Sequence, residues 1–339
     1  MPNSGRNRRH TTLKDVAEKV AVSPYTVSVV LNGSKSNTRV SDATREKILV
    51  AAEQLGYRPN GLARALRQRS TNIIGLYFGY GSLEPHDPFH AEVLTGLQRG
   101  CEACEKDLMI HYSFHRYGVD EVFSELVGGK IDGLVLLASP NDPLVPRVRA
   151  SGLPVVAMTD SLDGIPSVIA DDAAGSRLIV EHLRDKGHTS IMYRGCPGES
   201  DSAGRRYDAF RTHADQLGIT IHEGRTDDWR GSVSRQEAEL LANRHKHKIT
   251  ASVCWGDPSA NALLSYCKMN GISVPKDLAI VGFNGIELSV EPAQRLTTVH
   301  AHWAEVAQRA VQTLADQIEG KVVPMWSVLP VEFVPGDTT

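Results

Sequence analysis

The sequence predicts two folds in series: an all-α head over 11–58, and an α/β body over 71–339 built as two lobes. Each lobe is expected to be a parallel sheet with helices on both faces, the architecture of a periplasmic-binding-protein-like domain. Three observations carry this reading. Short, capped, amphipathic helices crowd residues 12–56. From Asn72 onward, apolar strand-like runs alternate with helical stretches. The charge also changes sign between the two regions.

In the head, Leu13, Val16, Ala17 and Val20 recur at helical spacing, with Lys14, Asp15, Glu18 and Lys19 on the other face. Thr12 stands at the N-cap, with Asp15 three residues on as a short capping box. Ala21 and Val22 make the turn. Ser23 then caps a second helix whose first position is Pro24, where a missing N–H costs nothing. Val27, Val30 and Leu31 form its buried stripe, which leaves Tyr25, Thr26, Ser28 and Val29 on or near the outer side until Asn32-Gly33 stops it. A third helix starts from the Ser41 cap, with Ala43, Ile48, Ala51, Ala52 and Leu55 facing inward and Gly56 ending it. Two short helices joined by a tight turn put a helix N-terminus into a DNA groove.

A generic three-helix bundle could share this pattern, and charge decides against that. Residues 1–70 hold thirteen Lys and Arg against five Asp and Glu, a balance of +8, while the remainder carries −11 in a chain of net −3. A compact basic module on an otherwise acidic chain is the electrostatic footprint of phosphate binding. A solvated tail would account for Arg6 to His10, but not for basic residues spread through capped helices.

Composition sets outer limits. The chain has 339 residues, 41% of them apolar and 23% charged, which suits two or three ordinary globular domains. No apolar run approaches the roughly 20 residues needed to span a bilayer, and MPNSGRNRRHTT lacks the apolar stretch of a secretory signal. Five cysteines suit a reducing cytoplasm. The CxxC spacing of Cys101 and Cys104 falls in an expected helix (91–106) without a second pair, so structural thiols are expected there. His245 and His247 are expected at a helix C-terminus, complementing its dipole rather than binding metal.

Residues 59–70 form the connection. Pro59 breaks the third helix and Asn60 can cap a helix of about two turns, too short to stand alone in water. Leu62, Ala63, Ala65 and Leu66 are too apolar for a solvated tether, so this helix is expected to form when two copies pack over DNA. In the body, strands are expected at 73–78, 108–114, 133–138, 154–158, 167–170, 190–194, 251–255 and 278–283. Helices are expected at 91–106, 173–186, 203–217, 234–246, 258–270 and 303–319. The chain is expected to cross between the lobes near 171 and 300. A ligand would then bind in the cleft, outside the carboxyl ends of the strands.

No catalytic constellation stands out. G-x-S-x-G, a phosphate loop, H-E-x-x-H and a Rossmann glycine pattern are all missing. The pairs Asp171-Asp172 and Asp227-Asp228 are sequence neighbours whose commoner use is in caps and turns. No enzyme activity, metal or cofactor is therefore expected.

The segments LKDVAEKVAVSPYTVSVVLNG, RVSDATREKILVAAEQLGYRPN, LARALR and IIGLYF are similar to the lactose-repressor (LacI/GalR) family of bacterial transcription regulators. So are ADDAAGSRLIVEHLRDKGHTSI, GRRYDAF, ISVPKDLAIVGFN and LTTVHAH, so that the resemblance runs from residue 11 to about 334. It implies a cytoplasmic, nucleoid-associated repressor that binds a near-palindromic double-stranded operator as a homodimer or a dimer of dimers. A small, sugar-like effector in the cleft would control it. The resemblance assigns Pro24, Tyr25 and Val29 to base edges, and Ser23, Thr26, Ser28 and Asn32 to phosphates. Leu66 would wedge into a central minor-groove step, with Arg67 beside it reaching groove edges or phosphate. For the effector it implies Phe89, His90, Ser202, Arg206 as a clamp on polar groups, Trp229 as a stacking face, Asp257 orienting the wall, and residue 284.

The chain departs from the family pattern at three places. Asn284 replaces the usual Asp, and a neutral amide donates and accepts but carries no charge. The ligand could be a modified or acidic sugar, since Arg206 would face less competing negative charge. The segment 33–38 is longer than in many members. Val29 stands where a polar residue is common; it either packs on a thymine methyl or only fills space. A cytoplasmic solute-binding protein is disfavoured by the basic head, and a sugar-acting enzyme by the absent catalytic set. If Val29 reads a base, Val29→Arg will change the preference at one operator position in selection from a random DNA pool; identical preferences at every position would dismiss that role.

Overall fold

The computed structural model describes residues 11–32, 39–58, 65, 70–81, 83–84, 86–110, 118–286 and 294–339, with only the backbone of Asn32. The expected basic tail (1–10), the 33–38 loop, the strand residues 111–114 and the linker residues 59–64 and 66–69 lie outside them. Contacts divide the chain between Thr71 and Asn72 into two units.

Among its described residues the first unit contains the helices α1 (Leu13–Val20), α2 (Pro24–Asn32) and α3 (Asp42–Gln54). Thr12 and Asp15 form the reciprocal capping box, the Asp15 carboxylate accepting from Thr12 N at 2.7 Å. Ala21 closes α1 in the left-handed conformation (φ 56°). The hydroxyl of Ser23 accepts from Thr26 N at 3.1 Å, and that of Ser41 from Thr44 N at 3.3 Å. Each cap satisfies a donor that the first helical turn leaves without an intrahelical partner. Val16, Ala17, Val27, Val30, Ile48, Ala51 and Ala52 form the core.

Two inward–outward expectations are corrected here. Ala43 is exposed. It precedes Ile48 by five residues, which at about 100° per residue swings it well off the buried stripe. Ser28 and Val29, expected on the outer side, are buried. Val29 is buried without belonging to the core cluster.

The second unit holds two parallel sheets. The first lobe contains β1 (Ile73–Phe78), β2 (Asp107–Ile110), β3 (Gly133–Leu137), β4 (Val155–Met158), β5 (Ser167–Ala170) and, late in sequence, β11 (Trp326–Leu329). Their spatial order is β11-β5-β4-β3-β1-β2. The second lobe contains β6 (Ser190–Gly195), β7 (Thr220–Arg225), β8 (Ala251–Cys254) and β9 (Ala279–Val281), in the order β7-β6-β8-β9. A separate antiparallel pair joins β10 (Thr298–His300) to β12 (Glu332–Val334). Helices α4 (Pro88–Ala103), α5 (Val119–Val127), α6 (Val145–Ala150), α7 (Asp172–Asp185), α8 (Asp201–Gln216), α9 (Arg235–Ala242), α10 (Arg244–His247), α11 (Asp257–Met269) and α12 (Trp303–Ile318) connect them.

The chain passes between the lobes after β5 and between β10 and α12. It also returns a third time, from β11 to β12 around residue 330. Strands β7, β10, β11 and β12 and helices α5 and α6 were not anticipated. β7 reads Thr-Ile-His-Glu-Gly-Arg on a sheet edge, too polar to stand out, and β10 and β12 are three residues each. The single helix expected over 234–246 is two, α9 and α10, broken at Asn243.

Cys101 is buried and Cys104 half-buried at the end of α4, both free; burial pushes the Cys101 thiol up to about 11 and raises Cys104, so neither is an activated thiolate. Helix α4 lies against α12 through two glycines. A Cβ on Gly96 would meet the carbonyl oxygen of Ala304 and come within 2.7 Å of the Ala307 Cβ; on Gly100 it would come within 2.7 Å of the Val311 Cβ. Gly96→Val should therefore cost about 2–3 kcal/mol in urea unfolding. Gly204→Ala, in α8 with open space around it, should gain about 0.5–1 kcal/mol. Equal midpoints for the two variants would contradict this close approach.

Candidate functional site

Between the two lobes lies a cleft of about 1480 Å³, at the carboxyl ends of the strands of both sheets. All seven residues expected to meet an effector line it: Phe89, His90, Ser202, Arg206, Trp229, Asp257 and Asn284.

Arg206 is the organising residue. Its position on α8 buries the guanidinium (4% exposed) beneath the cleft floor. Nε donates to the Asp172 carboxylate at 2.7 Å. Nη1 donates to the Trp255 carbonyl at 2.8 Å and to Asn284 Oδ1 at 3.4 Å. The plane of the group lies over the Phe283 ring, 3.8 Å from its centroid. Among the described residues Nη2 makes no hydrogen bond, so it remains able to meet a ligand acceptor. Asp172, itself buried, also takes Arg205 on its second oxygen, at 2.6 Å. Its neighbour Asp171 caps α7 by accepting from Ala174 N at 2.9 Å. The Asp171-Asp172 pair thus serves one cap and one double ion pair.

Asn284 is held from both sides of its backbone: its N–H donates to Val299 O at 2.9 Å and its carbonyl accepts from Ala301 N at 3.1 Å. Its φ of 128° is one that side-chain-bearing residues rarely adopt, and it follows from pairing with His300 outside a regular strand. Asp257 lines the cleft but commits both oxygens to the protein, accepting from Thr298 Oγ1 at 2.6 Å and Ile286 N at 3.1 Å. Burial raises its pKa, against which the bonds from Thr298 and Ile286 act. It is a scaffold for the wall.

On the opposite side, Asp87 caps α4 by accepting from Phe89 N at 2.9 Å and His90 N at 3.3 Å, which sets both side chains at the cleft. Phe89 meets Trp303 edge-on at 5.2 Å, and His90 meets Phe78 edge-on at 4.7 Å. Ser202 N donates to Asp160 Oδ1 at 2.8 Å, and Ser200 Oγ to the same oxygen at 3.2 Å; Tyr80 OH closes on its other oxygen. Asp160 belongs to the first lobe and both serines to the second, so this carboxylate bridges the cleft. Burial raises its pKa, and the Ser202 bonds pull the other way. Trp229 is 39% exposed and stands edge-on between Tyr80 and Trp255, each at 5.5 Å.

The sequence reading missed Tyr80, Asp160, Asp172, Trp255, Phe283 and Trp303. Four of these lie just beyond strand carboxyl ends: Tyr80 after β1, Asp160 after β4, Trp255 after β8 and Phe283 after β9. The general rule for α/β sheets would have pointed there. Nothing in the local sequence marks Asp172 as the partner of an arginine 34 residues on.

In the first unit, Pro24 and Tyr25 stand exposed at the start of α2, Tyr25 at 61%. Ser23 and Thr26 bond each other's hydroxyls at 2.8 Å. Val29 follows Tyr25 by one helical turn and shares its face. At 8% exposure it offers a base no surface in this state, and Ser28, at 9%, is similarly withdrawn from phosphate. The side chain of Asn32, and Leu66 and Arg67, lie outside the described residues. Among the described residues no cluster could hold a metal ion, and no helix is long and apolar enough to cross a membrane.

A helix-turn-helix unit followed by a two-lobed, ligand-cleft body defines a class of ligand-responsive DNA-binding regulators. Residues 12–60 match the model for bacterial regulatory proteins of the lacI family, and residues 180–339 match a periplasmic binding protein-like domain. An HTH-type transcriptional repressor PurR from Aliivibrio fischeri (strain ATCC 700601 / ES114) is 30% identical, over 91% of this chain and 92% of the relative. The PurR of Photobacterium profundum is 29% identical over the same shares. Among solved structures, the Lac repressor dimer bound to operator and the anti-inducer ONPF is similar with a TM-score of 0.82 and 27% identity, over 97% of this chain and 99% of that one. The Lac repressor bound to ONPG in its repressed state gives 0.83 and 27%, over 98% and 100%. The chain belongs to the lacI family of bacterial regulatory proteins, and like its repressor relatives it is not an enzyme.

The raised pKa of Asp160 has a measurable sign. Its stabilising contribution is full below the ordinary aspartate value of 3.8 and is lost as pH rises through its raised value. The stability of Asp160→Asn relative to the parent should therefore increase as urea unfolding is carried from acid pH upward. A constant difference across that range would show that the carboxyl is not perturbed.

Proposed function

We propose that this chain is a transcriptional repressor that binds a near-palindromic operator as a homodimer, with affinity set by a small ring-shaped ligand in the cleft. The observation that carries the reading is one polypeptide joining a capped, basic helix-turn-helix to a cleft floored by a buried arginine with a nitrogen to spare. The +8 head supplies sequence-independent attraction to phosphate. Exposed Pro24 and Tyr25 at the start of α2 supply side chains for base edges. Leu66 and Arg67, in the connecting segment, are the proposed minor-groove contacts of the dimer.

For the ligand we favour a sugar or sugar derivative without a positive charge. Arg206 Nη2 offers a donor, Asn284 an amide that can donate and accept, and Trp229 and Tyr80 offer faces for the apolar side of a ring. A cation would be repelled by Arg206, whose own counter-charge, Asp172, is already engaged by two arginines. A flat heteroaromatic ring is the second reading, favoured by the ring density at the mouth, where Tyr80, Trp229 and Trp255 stand edge to face. The chain is proposed to act in the cytoplasm, at its operator.

Ligand and operator must influence each other by the same factor if they act through the two lobes. A thermal-shift screen of sugars and nucleobases identifies the ligand. Titrating it with and without operator DNA then gives affinities that differ by roughly 5–150-fold. Identical affinities would refute the allosteric reading, and a screen answered only by nucleobases would replace the sugar with the second reading. Arg206→Met should abolish the thermal shift. Because it leaves Asp172 buried without one of its partners, it should also cost about 3–5 kcal/mol.

A further inference from the structure

One cluster of buried charge lies outside the ligand contacts. Arg194, near the end of β6, and Glu237, in the first turn of α9, are both wholly buried. Arg194 Nε and Nη2 grip the Glu237 carboxylate at 2.9 and 3.0 Å. The same guanidinium reaches two carbonyls: Nη2 donates to Gly231 O at 3.0 Å and Nη1 to Ser259 O at 2.5 Å. Glu237 also accepts from Ser234 N at 2.9 Å as the third residue of a capping box. One side chain therefore ties together β6, the 226–232 turn, the start of α9 and the start of α11.

We propose that the Arg194–Glu237 pair is a positioning device for the ligand cleft, fixing the 226–232 turn so that the Trp229 ring stands as a preformed wall at its mouth. Trp229 is at the tip of that turn. The turn is closed internally by Asp228, which accepts from Ser232 N at 3.0 Å and Ser232 Oγ at 2.7 Å. It is pressed against α11 at Gly231, whose φ is +78° and whose Cβ, if present, would collide with Ser259. Beyond these anchors the turn reaches across to the first lobe, Trp229 edge-on to Tyr80 and Arg230 3.7 Å from Glu84. Among the described residues the Trp229 indole has ring neighbours but no hydrogen bond, so its place follows from where the turn is held.

Stability alone does not require this pair. Replacing a buried ion pair by apolar side chains of similar volume is often neutral or stabilising, whereas removing one partner is not. What apolar residues cannot reproduce is the guanidinium's grip on the Gly231 and Ser259 carbonyls. Without it, the Gly231 carbonyl must find water, and the turn moves with it. The inference rests on the cleft being a ligand site, but its test needs no ligand.

The Trp229 emission is isolated by subtracting a Trp229→Phe version of each variant, and its accessibility is read by acrylamide quenching of the full-length chain. Arg194→Met/Glu237→Leu should remain folded while Trp229 quenching rises by about twofold. Arg194→Lys keeps a charge for Glu237 but loses the planar fork, and should show the same rise. Parental quenching in the folded double variant would overturn the proposal. If that variant does not fold, Arg194→Lys decides: raised Trp229 quenching supports the proposal, and parental quenching overturns it. Either outcome leaves the repressor reading to its own ligand–operator titration.

Discussion

The cleft depends on the burial of one guanidinium. Arg206 sits almost wholly out of water, and a lone cation there would cost several kcal/mol. Asp172 answers its charge, the Trp255 carbonyl and Asn284 amide oxygen accept hydrogen bonds from Nη1, and Phe283 covers its face. Those partners come from α7, from the ends of β8 and β9, and from the backbone pairing at His300. Satisfying Arg206 therefore requires four parts of the second lobe to be correctly placed. The cleft floor is a consequence of that requirement.

The same constraint governs the contacts between the lobes. Asp160 takes bonds from Tyr80 in its own lobe and from Ser200 and Ser202 in the other. A buried carboxylate shared across a cleft makes the lobe arrangement sensitive to anything that competes for it, including a ligand hydroxyl. Asp257 has the opposite character, with both oxygens committed to Thr298 and Ile286. Two buried aspartates thus line one cavity, one bridging the lobes and one bracing a wall. Three passages of the chain between the lobes, near 171, 300 and 330, leave such contacts to decide how the lobes meet.

Much of this was legible from local pattern. The caps at Thr12, Ser23 and Ser41 and the strands β1, β3, β5 and β6 follow from periodicity and side-chain chemistry within a few residues. The seven cleft residues carried by resemblance do line the cavity. Other features were hidden for identifiable reasons. β7, an edge strand, has a polar sequence because it need not be buried on both faces. Asp172 reads as a helix-start acid until α8 brings two arginines to it. Arg194 and Glu237 lie 43 residues apart, and no spacing rule joins them. Ser28 and Val29 were misplaced because helical spacing gives a residue's face but not what lies against that face.

The sequence by itself determined the order of the two units, the sign change of charge between them and the helix caps, because these depend on neighbours within about one turn or strand. It also marked the family through contiguous motifs. Only the tertiary structure decided which acid serves which arginine, which aromatic faces meet at the cleft mouth, and that Val29 is covered. Those outcomes depend on the desolvation of groups brought together from distant parts of the chain. A charge or ring has no fixed role until its surroundings have excluded water from it.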